Sequence, residues 1–360
     1  MERFSCKTMI ISGPGAISSL GDLRSKRLFL VTDPFFANNG TAQRVAAAAK
    51  AEETEVFDAV QPDPSVSLAA EGTARLRAFG ADTIVALGGG SAMDCAKAMA
   101  YFSKSSATLV AIPTTSGSGS EVTDFAILTH DGVKHPLVDP KLRPDIAILD
   151  SDLLTQLPKK LIADAGFDVL AHALEACAAR DAGVVTDCLA REAFCTAFAN
   201  LPASYAGRQE TRLKVHLAAT MAGLAFTQAG LGLCHAMSHA LGGLFHIPHG
   251  RLNAILLPSV ISCNAHVAGA KYARIARAAG FSGSADTIAV RNLRSGLIRL
   301  RRELDLPETL TQAGVTPSEV WQNTDEIVKA TLADPCISTN PMAVEDFLVR
   351  RILEEVTGHG

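Results

Sequence analysis

The chain has 360 residues, 48% of them hydrophobic, 19% charged and 5% aromatic, with a formal net charge of -4. That length exceeds what one hydrophobic core usually sustains, so two domains are expected, and the apolar fraction excludes a disordered chain. The weakly acidic balance, with no basic run longer than Lys159-Lys160 or Arg301-Arg302, excludes the electrostatic footprint of a nucleic-acid binder.

No stretch reaches the roughly 18 uninterrupted apolar residues of a membrane span, and the start Met1-Glu2-Arg3-Phe4-Ser5-Cys6-Lys7 lacks the apolar segment of a secretory signal. Neither a membrane nor export is expected. The eight cysteines are scattered without a Cys-x-x-Cys pair, mostly in apolar text, as expected of reduced thiols in a cytoplasmic protein.

In chain order, short β-branched runs at 27–32, 54–57, 83–87, 108–112, 125–128 and 146–149 alternate with helical patterns that include 43–51, 66–79 and 92–102. Strands alternating with crossover helices predict a parallel sheet. From about residue 152 the text turns Ala- and Leu-rich with apolar positions three and four apart, which predicts packed helices. The expected organisation is an α/β dinucleotide-binding domain over 1–155 followed by an all-α domain over 156–360. Clefts between such domains commonly hold substrates.

After the strand at 83–87 comes Gly88-Gly89-Gly90-Ser91 and then a helical pattern. Residues without Cβ let the backbone approach a pyrophosphate, and a helix start offers free N–H groups and a positive dipole end. A tight strand-to-helix turn also needs glycine, but three in succession favour the anion cradle. The next strand leads into Pro113-Thr114-Thr115-Ser116-Gly117-Ser118-Gly119-Ser120-Glu121, rich in hydroxyls that suit ribose and phosphate. Ser118 and Glu121 also have the spacing of a capping box for a following helix. Asp33 ends the strand at 27–32, where a carboxylate accepts hydrogen bonds from ribose hydroxyls and repels a 2′-phosphate, favouring NAD over NADP.

The strongest chemical signal is a set of histidines. His235, His239, His246 and His249 fall close together, and His172 lies four residues after Asp168 in a helical stretch. Positions i and i+4 share a helix face, so Asp168 with His172 present an oxygen and a nitrogen to one point, and His235 with His239 repeat the geometry. His249 follows in Pro248-His249-Gly250, a turn able to bring back another imidazole. A lone histidine on an apolar helix is more often a satisfied core residue. Here Asp168, His172, His235 and His249 sit together in apolar text, where burial without a cation would be costly. One oxygen and three nitrogens suit a divalent ion with an open position for a substrate oxygen, Fe2+ and Zn2+ both being admissible.

These motifs, with Gly166-Phe167-Asp168-Val169-Leu170-Ala171-His172-Ala173-Leu174-Glu175 and Gly230-Leu231-Gly232-Leu233-Cys234-His235, resemble the iron-containing (group III) alcohol dehydrogenases nearly end to end. Lys134-His135-Pro136 and the text from Phe226 to Gly250 are similar to the branch of that family found in bacterial microcompartments. The resemblance implies a dehydroquinate-synthase-like fold in which Asp168, His172, His235 and His249 hold iron. It implies that Gly88, Gly89, Gly90, Ser91, Asp94, Thr114, Thr115 and Ser118 contact NAD, with Asp33 and Lys134 near its riboses. It also implies that His239 is a proton relay and that Phe226 and Cys336 line a substrate pocket, ordinary core packing being the other reading of that pair. In one departure, the family often reads Asn-Pro-Arg where this chain has Asn340-Pro341-Met342, which implies the loss of a structural ion pair.

The expected activity is therefore a metal-dependent, NAD-linked interconversion of a short aldehyde and its primary alcohol by a homo-oligomer. Two alternatives share the fold: a metal-independent reductase similar to maleylacetate reductase, and a lyase similar to dehydroquinate synthase. The lyase needs basic residues for a phosphorylated sugar acid, and the segment 226–250 contains no Lys or Arg, which favours a small neutral substrate.

Overall fold

The computed structural model describes residues 4–131 and 133–358. Residues 1–3, part of the N-terminal segment read above as carrying no signal, lie outside the described residues. The chain forms two compact units, one spanning Ser5–Leu157 and the other beginning at Pro158.

The first unit holds β1 (Met9–Ser12), β2 (Arg27–Val31), β3 (Glu53–Phe57), β4 (Thr83–Gly88), β5 (Thr108–Pro113), β6 (Phe125–His130), β7 (Val133–Val138) and β8 (Ile146–Leu149). Its helices are α1 (Pro34–Asn38), α2 (Thr41–Ala49), α3 (Val66–Phe79) and α4 (Gly90–Ser103). Six strands form one sheet in the order β1-β8-β5-β4-β2-β3, every neighbouring pair parallel. Side chains alternate across it with the period of two that strands impose. Leu28, Leu30, Val85 and Leu87 pack with Ala42, Val45 and Ala49 of α2 on one face. Phe29, Val31, Ile84 and Ala86 pack with Leu76 of α3 and Met93 and Met99 of α4 on the other. Helices on both faces explain why the strands read as continuous apolar runs.

The segment at 125–128 is a strand, but not of the parallel sheet: β6 pairs antiparallel with β7 in a separate hairpin. Its burial alternates while β7 is almost wholly exposed, the signature of a hairpin with one solvated face. The pattern at 9–12 and 133–138 gave no strand signal because β1 is a largely exposed edge strand and β7 is polar and carries Pro136, a residue tolerated only at edges.

No helix follows Ser118 and Glu121, so the capping-box expectation is corrected: the segment turns directly into β6. Buried Lys97 on α4 donates to Ser120 Oγ (2.9 Å), Thr123 Oγ1 (2.9 Å) and the Phe125 carbonyl (3.0 Å). Asp94 accepts from Ser120 Oγ (2.8 Å) and the Ile127 N–H (3.2 Å). These bonds satisfy the hydroxyls in a turn and remove the reason to start a helix.

The second unit contains α5 (Lys159–Ala178), α6 (Val184–Tyr205), α7 (Gln209–Ala229), α8 (Leu233–Phe245), α9 (His249–Ala278), α10 (Asp286–Glu303), α11 (Pro317–Gln322), α12 (Thr324–Ala333) and α13 (Asp346–Thr357), with a 3-10 turn at Pro335–Thr339. α5 is buried on nearly every side, packed against α6, α7 and α9. α9 has the length and mean apolarity of a membrane span, but 72% of that window is buried inside the protein, as in a core helix.

Candidate functional site

In the α/β unit the strand order reverses at β2, whose successor β3 lies on one side while β4 lies on the other. Open parallel sheets bind ligands outside the carboxyl ends of strands at such a reversal. Asp33 follows β2 there, and Gly88 ends β4; Thr32 Oγ1 ties the two strand ends by donating to the Leu87 carbonyl (2.9 Å).

Gly88 has φ +149°, and a Cβ on it would meet Ala92 Cβ at 2.7 Å and lie 3.5 Å from Asp33 Oδ2. Side chains on Gly89 and Gly90 would come within 3.5 Å of Thr115 Oγ1 and Ser118 Oγ. The bare glycines therefore leave a cradle flanked by a carboxylate and two hydroxyls. α4 begins on Gly89 with no side-chain cap, the condition under which a helix start receives an anion. Residues and geometry fit a dinucleotide pyrophosphate.

The other residues expected to contact the dinucleotide have the following surroundings. Thr114 is buried, its N–H bonded to the Gly88 carbonyl (2.9 Å), so it joins β5 to the loop. Ser91 is half-buried in the first turn of α4. Both Asp94 oxygens are engaged by Ser120 and Ile127, so its visible role is holding the loop. Lys134 on β7 pairs with Asp63 (2.6 Å) at the surface. Asp33 uses Oδ1 to cap α1 through the N–H groups of Phe35 (2.9 Å) and Phe36 (3.1 Å).

In the helical unit, Asp168 and His172 lie on α5, His235 and His239 on α8, and His249 opens α9. Asp168 Oδ1 is 3.7 Å from His172 Nε2, 3.6 Å from His235 Nε2 and 3.5 Å from His249 Nε2. These separations are too long for hydrogen bonds. They match ligands sharing one ion, since four donors about 2.1 Å from a tetrahedral centre stand about 3.4 Å apart. The donor atoms of Asp168, His235 and His249 all lie within 4.8 Å of one another, and the His172 ring stacks on His235 with centroids 4.5 Å apart. The donor set fits a divalent first-row cation.

Burial raises the cost of charge on Asp168, yet the surrounding imidazoles outweigh it and hold its carboxyl well below the usual range. Burial holds the His249 imidazole well below its ordinary pKa, so it presents a neutral nitrogen. For His235, burial acts downward too, but the Asp168 and Glu175 carboxylates prevail and raise it to about 9.

Three side chains not singled out from the sequence organise this group. Glu175 lies seven residues after Asp168 on the same face of α5 and binds His235 Nδ1 at 2.6 Å, which turns Nε2 toward Asp168. The same carboxylate accepts the N–H groups of Cys234 (2.7 Å) and His235 (3.2 Å), capping the start of α8, while Asn340 Oδ1 accepts that of Leu233 (3.1 Å). Asn253, one turn after His249, accepts from Ser238 Oγ (2.5 Å) and donates its amide to Asp168 Oδ1 (2.8 Å). Asp334 Oδ2 bonds His239 Nδ1 (2.8 Å). The i, i+4 and i+7 spacings of Glu175 and Asn253 to the donors were the available signals; Asp334, far away in sequence, offered none.

Close backbone approach sets the position of His249. A Cβ on Gly250 would fall 1.9 Å from the Asp164 carbonyl, so only glycine lets α9 meet α5 here. Arg251 then clamps Asp164 through both oxygens (3.1 and 2.8 Å), one turn before Asp168. Phe226 is buried with its ring stacked on His172 (4.4 Å), Cys336 is half-buried beside Asp334, and His246 ends α8 apart from the donor group.

Asn253→Ala removes the amide that holds the Asp168 oxygen. Divalent-metal affinity, measured by competition with a chromophoric chelator, is expected to fall by about 10- to 100-fold. Unchanged affinity would show that the amide does not orient the ligand.

Residues 7–151 match the pattern described as iron-containing alcohol dehydrogenase, and residues 162–357 match that of the C-terminal part of the Fe-containing alcohol dehydrogenase family. The chain is 39% identical over 369 residues to 1-propanol dehydrogenase PduQ of Salmonella typhimurium (strain LT2), covering 99% of this chain and 100% of the relative. It is similar to an iron-containing alcohol dehydrogenase structure from Thermococcus thioreducens, with TM-score 0.91, 33% identity and coverage of 98% and 99% of the two chains. It is also similar to sulfoacetaldehyde reductase from Bifidobacterium kashiwanohense in complex with NAD+, with TM-score 0.92, 26% identity and complete coverage (100%) of both chains. With both halves of its length matched, the chain belongs to the iron-containing alcohol dehydrogenase family.

Proposed function

We propose that the protein is a metal-dependent, NAD-linked alcohol dehydrogenase that interconverts a short-chain aldehyde, such as propionaldehyde or acetaldehyde, with its primary alcohol. The observation that carries this reading is the convergence of three imidazole Nε2 atoms at 3.5 to 3.7 Å on one buried carboxylate oxygen. Residues 1–155 take the dinucleotide role and residues 156–360 the metal and substrate role.

Asp168, His172, His235 and His249 would hold Fe2+, or Zn2+ in its place, supplying Lewis acidity toward a substrate oxygen, while NAD supplies or accepts the hydride. Asp168 provides the negative charge and Glu175 fixes the His235 tautomer. His239 donates Nδ1–H to Asp334, which leaves Nε2 to exchange a proton during turnover, a task suited to imidazole. Phe226 shields the His172 ring. The absence of Lys and Arg from 226–250 supports a neutral substrate. On the nucleotide side, the glycine cradle and the start of α4 receive the pyrophosphate, Thr115 and Ser118 flank it, and Asp33 and Lys134 serve the riboses.

A reducing cytoplasmic setting, inside or outside a microcompartment, accords with eight free cysteines. Association into a homodimer or larger assembly accords with the outer edge of β1, which no strand pairs among the described residues and where Met9 and Ile10 are exposed.

His249→Ala is expected to lose bound metal and NADH-dependent aldehyde reduction together, and chelated wild-type enzyme to regain activity with Fe2+ or Zn2+. An active, metal-free His249→Ala enzyme would overturn the assignment and favour a metal-independent reductase.

Asp33→Asn keeps the capping oxygen for α1 but removes the charge that repels a 2′-phosphate. The ratio of kcat/KM for NAD over NADP is expected to fall by at least about tenfold, the scale of one like-charge contact near a protein surface. An unaltered ratio would place the discrimination elsewhere.

A further inference from the structure

Beside the Asp168 group, a second set of donors meets with a different chemistry. A ring nitrogen of His239, an Asp334 carboxylate oxygen and Cys336 Sγ lie within 4.8 Å of one another, on residues that are all partly accessible. The set is prearranged. Asp334 Oδ1 accepts the Cys336 N–H (2.8 Å), which fixes the carboxylate and turns Oδ2 to His239 (2.8 Å). The 3-10 turn that Asp334 caps and that carries Cys336 is tied to the start of α8 by Thr339 Oγ1 donating to the Leu231 carbonyl (2.7 Å) and by Asn340 Oδ1 accepting the Leu233 N–H (3.1 Å). His239 is on that same helix, so the three donors sit on one braced assembly.

We propose that His239, Asp334 and Cys336 form a second cation site, selective for thiophilic divalent ions of the zinc or cadmium class. One nitrogen, one carboxylate oxygen and one sulfur leave a fourth tetrahedral position for water, and the thiolate gives a preference for soft ions that the oxygen and nitrogen donors around Asp168 lack. Burial, with the Asp334 and Glu175 carboxylates beside it, pushes the Cys336 thiol well above its ordinary range, so it stays protonated until a cation arrives. Binding then releases one proton, from Cys336 Sγ, to solvent, while the His239 ring proton moves from Nδ1 to Nε2 to free Nδ1 as a ligand. Occupancy removes the Nδ1–H that sets the His239 tautomer, so the site is inhibitory wherever His239 handles a proton.

Sulfur makes the site visible independently of turnover. Metal-stripped full-length protein is titrated with Cd2+ while the ultraviolet sulfur-to-cadmium charge-transfer absorption is followed; the Asp168 group cannot produce that band. Wild-type protein is expected to develop one thiolate's absorption per chain. Cys336→Ser is expected to lose it, His239→Ala to need at least about tenfold more Cd2+, and His249→Ala to keep it. No band in the wild type, or an equal band in Cys336→Ser, would overturn the proposal. Because the band survives His249→Ala, failure of the catalytic-metal reading is told apart from failure of this one.

Discussion

One buried negative charge organises the helical unit. Asp168 sits inside a helix buried on nearly every side, where an isolated carboxylate would be expensive to keep ionised. The surroundings make it tolerable: three imidazoles face one of its oxygens, and the Asn253 amide donates to the same atom. Glu175, a second buried carboxylate on the same helix face, is satisfied by one imidazole and two backbone N–H groups. The imidazoles stand 3.5 to 3.7 Å away, too far to hydrogen-bond that oxygen, and the proposed cation would neutralise the charge they leave.

The rest of the helical unit serves the convergence. α5 supplies one wall, the start of α8 is fastened to it through Glu175, and α9 is brought against it where Gly250 permits contact with the Asp164 carbonyl. In the α/β unit the organising charge has the opposite sign. Lys97 is buried, its pKa pushed down by burial to about 8, and it fastens the loop after β5 beside the glycine cradle. In both units a buried ionisable side chain, Glu175 in one and Lys97 in the other, fastens a helix end or a loop.

Much of this was legible from residues alone. The parallel strands are apolar runs because helices cover both faces, and the helix at Val66–Phe79 carries the expected bounds. Asp168 with His172 and His235 with His239 stand out through i, i+4 spacing. What escaped notice did so for physical reasons. The exposed edge strand Met9–Ser12 and the proline-bearing Val133–Val138 carry no burial pattern. The capping box at Ser118 was a true local signal overruled by Lys97 and Asp94, which lie far enough away in sequence to be invisible there. Asp334 meets His239 across 95 positions, a pairing that only the fold creates.

X-ray absorption at the iron edge, on protein loaded with one equivalent of Fe2+, bears most directly on the proposal that Asp168, His172, His235 and His249 share one ion. A first shell of nitrogen and oxygen only, at about 2.0 to 2.2 Å with imidazole scattering behind it, is expected. A sulfur neighbour at about 2.3 Å, or a shell free of imidazole, would contradict it.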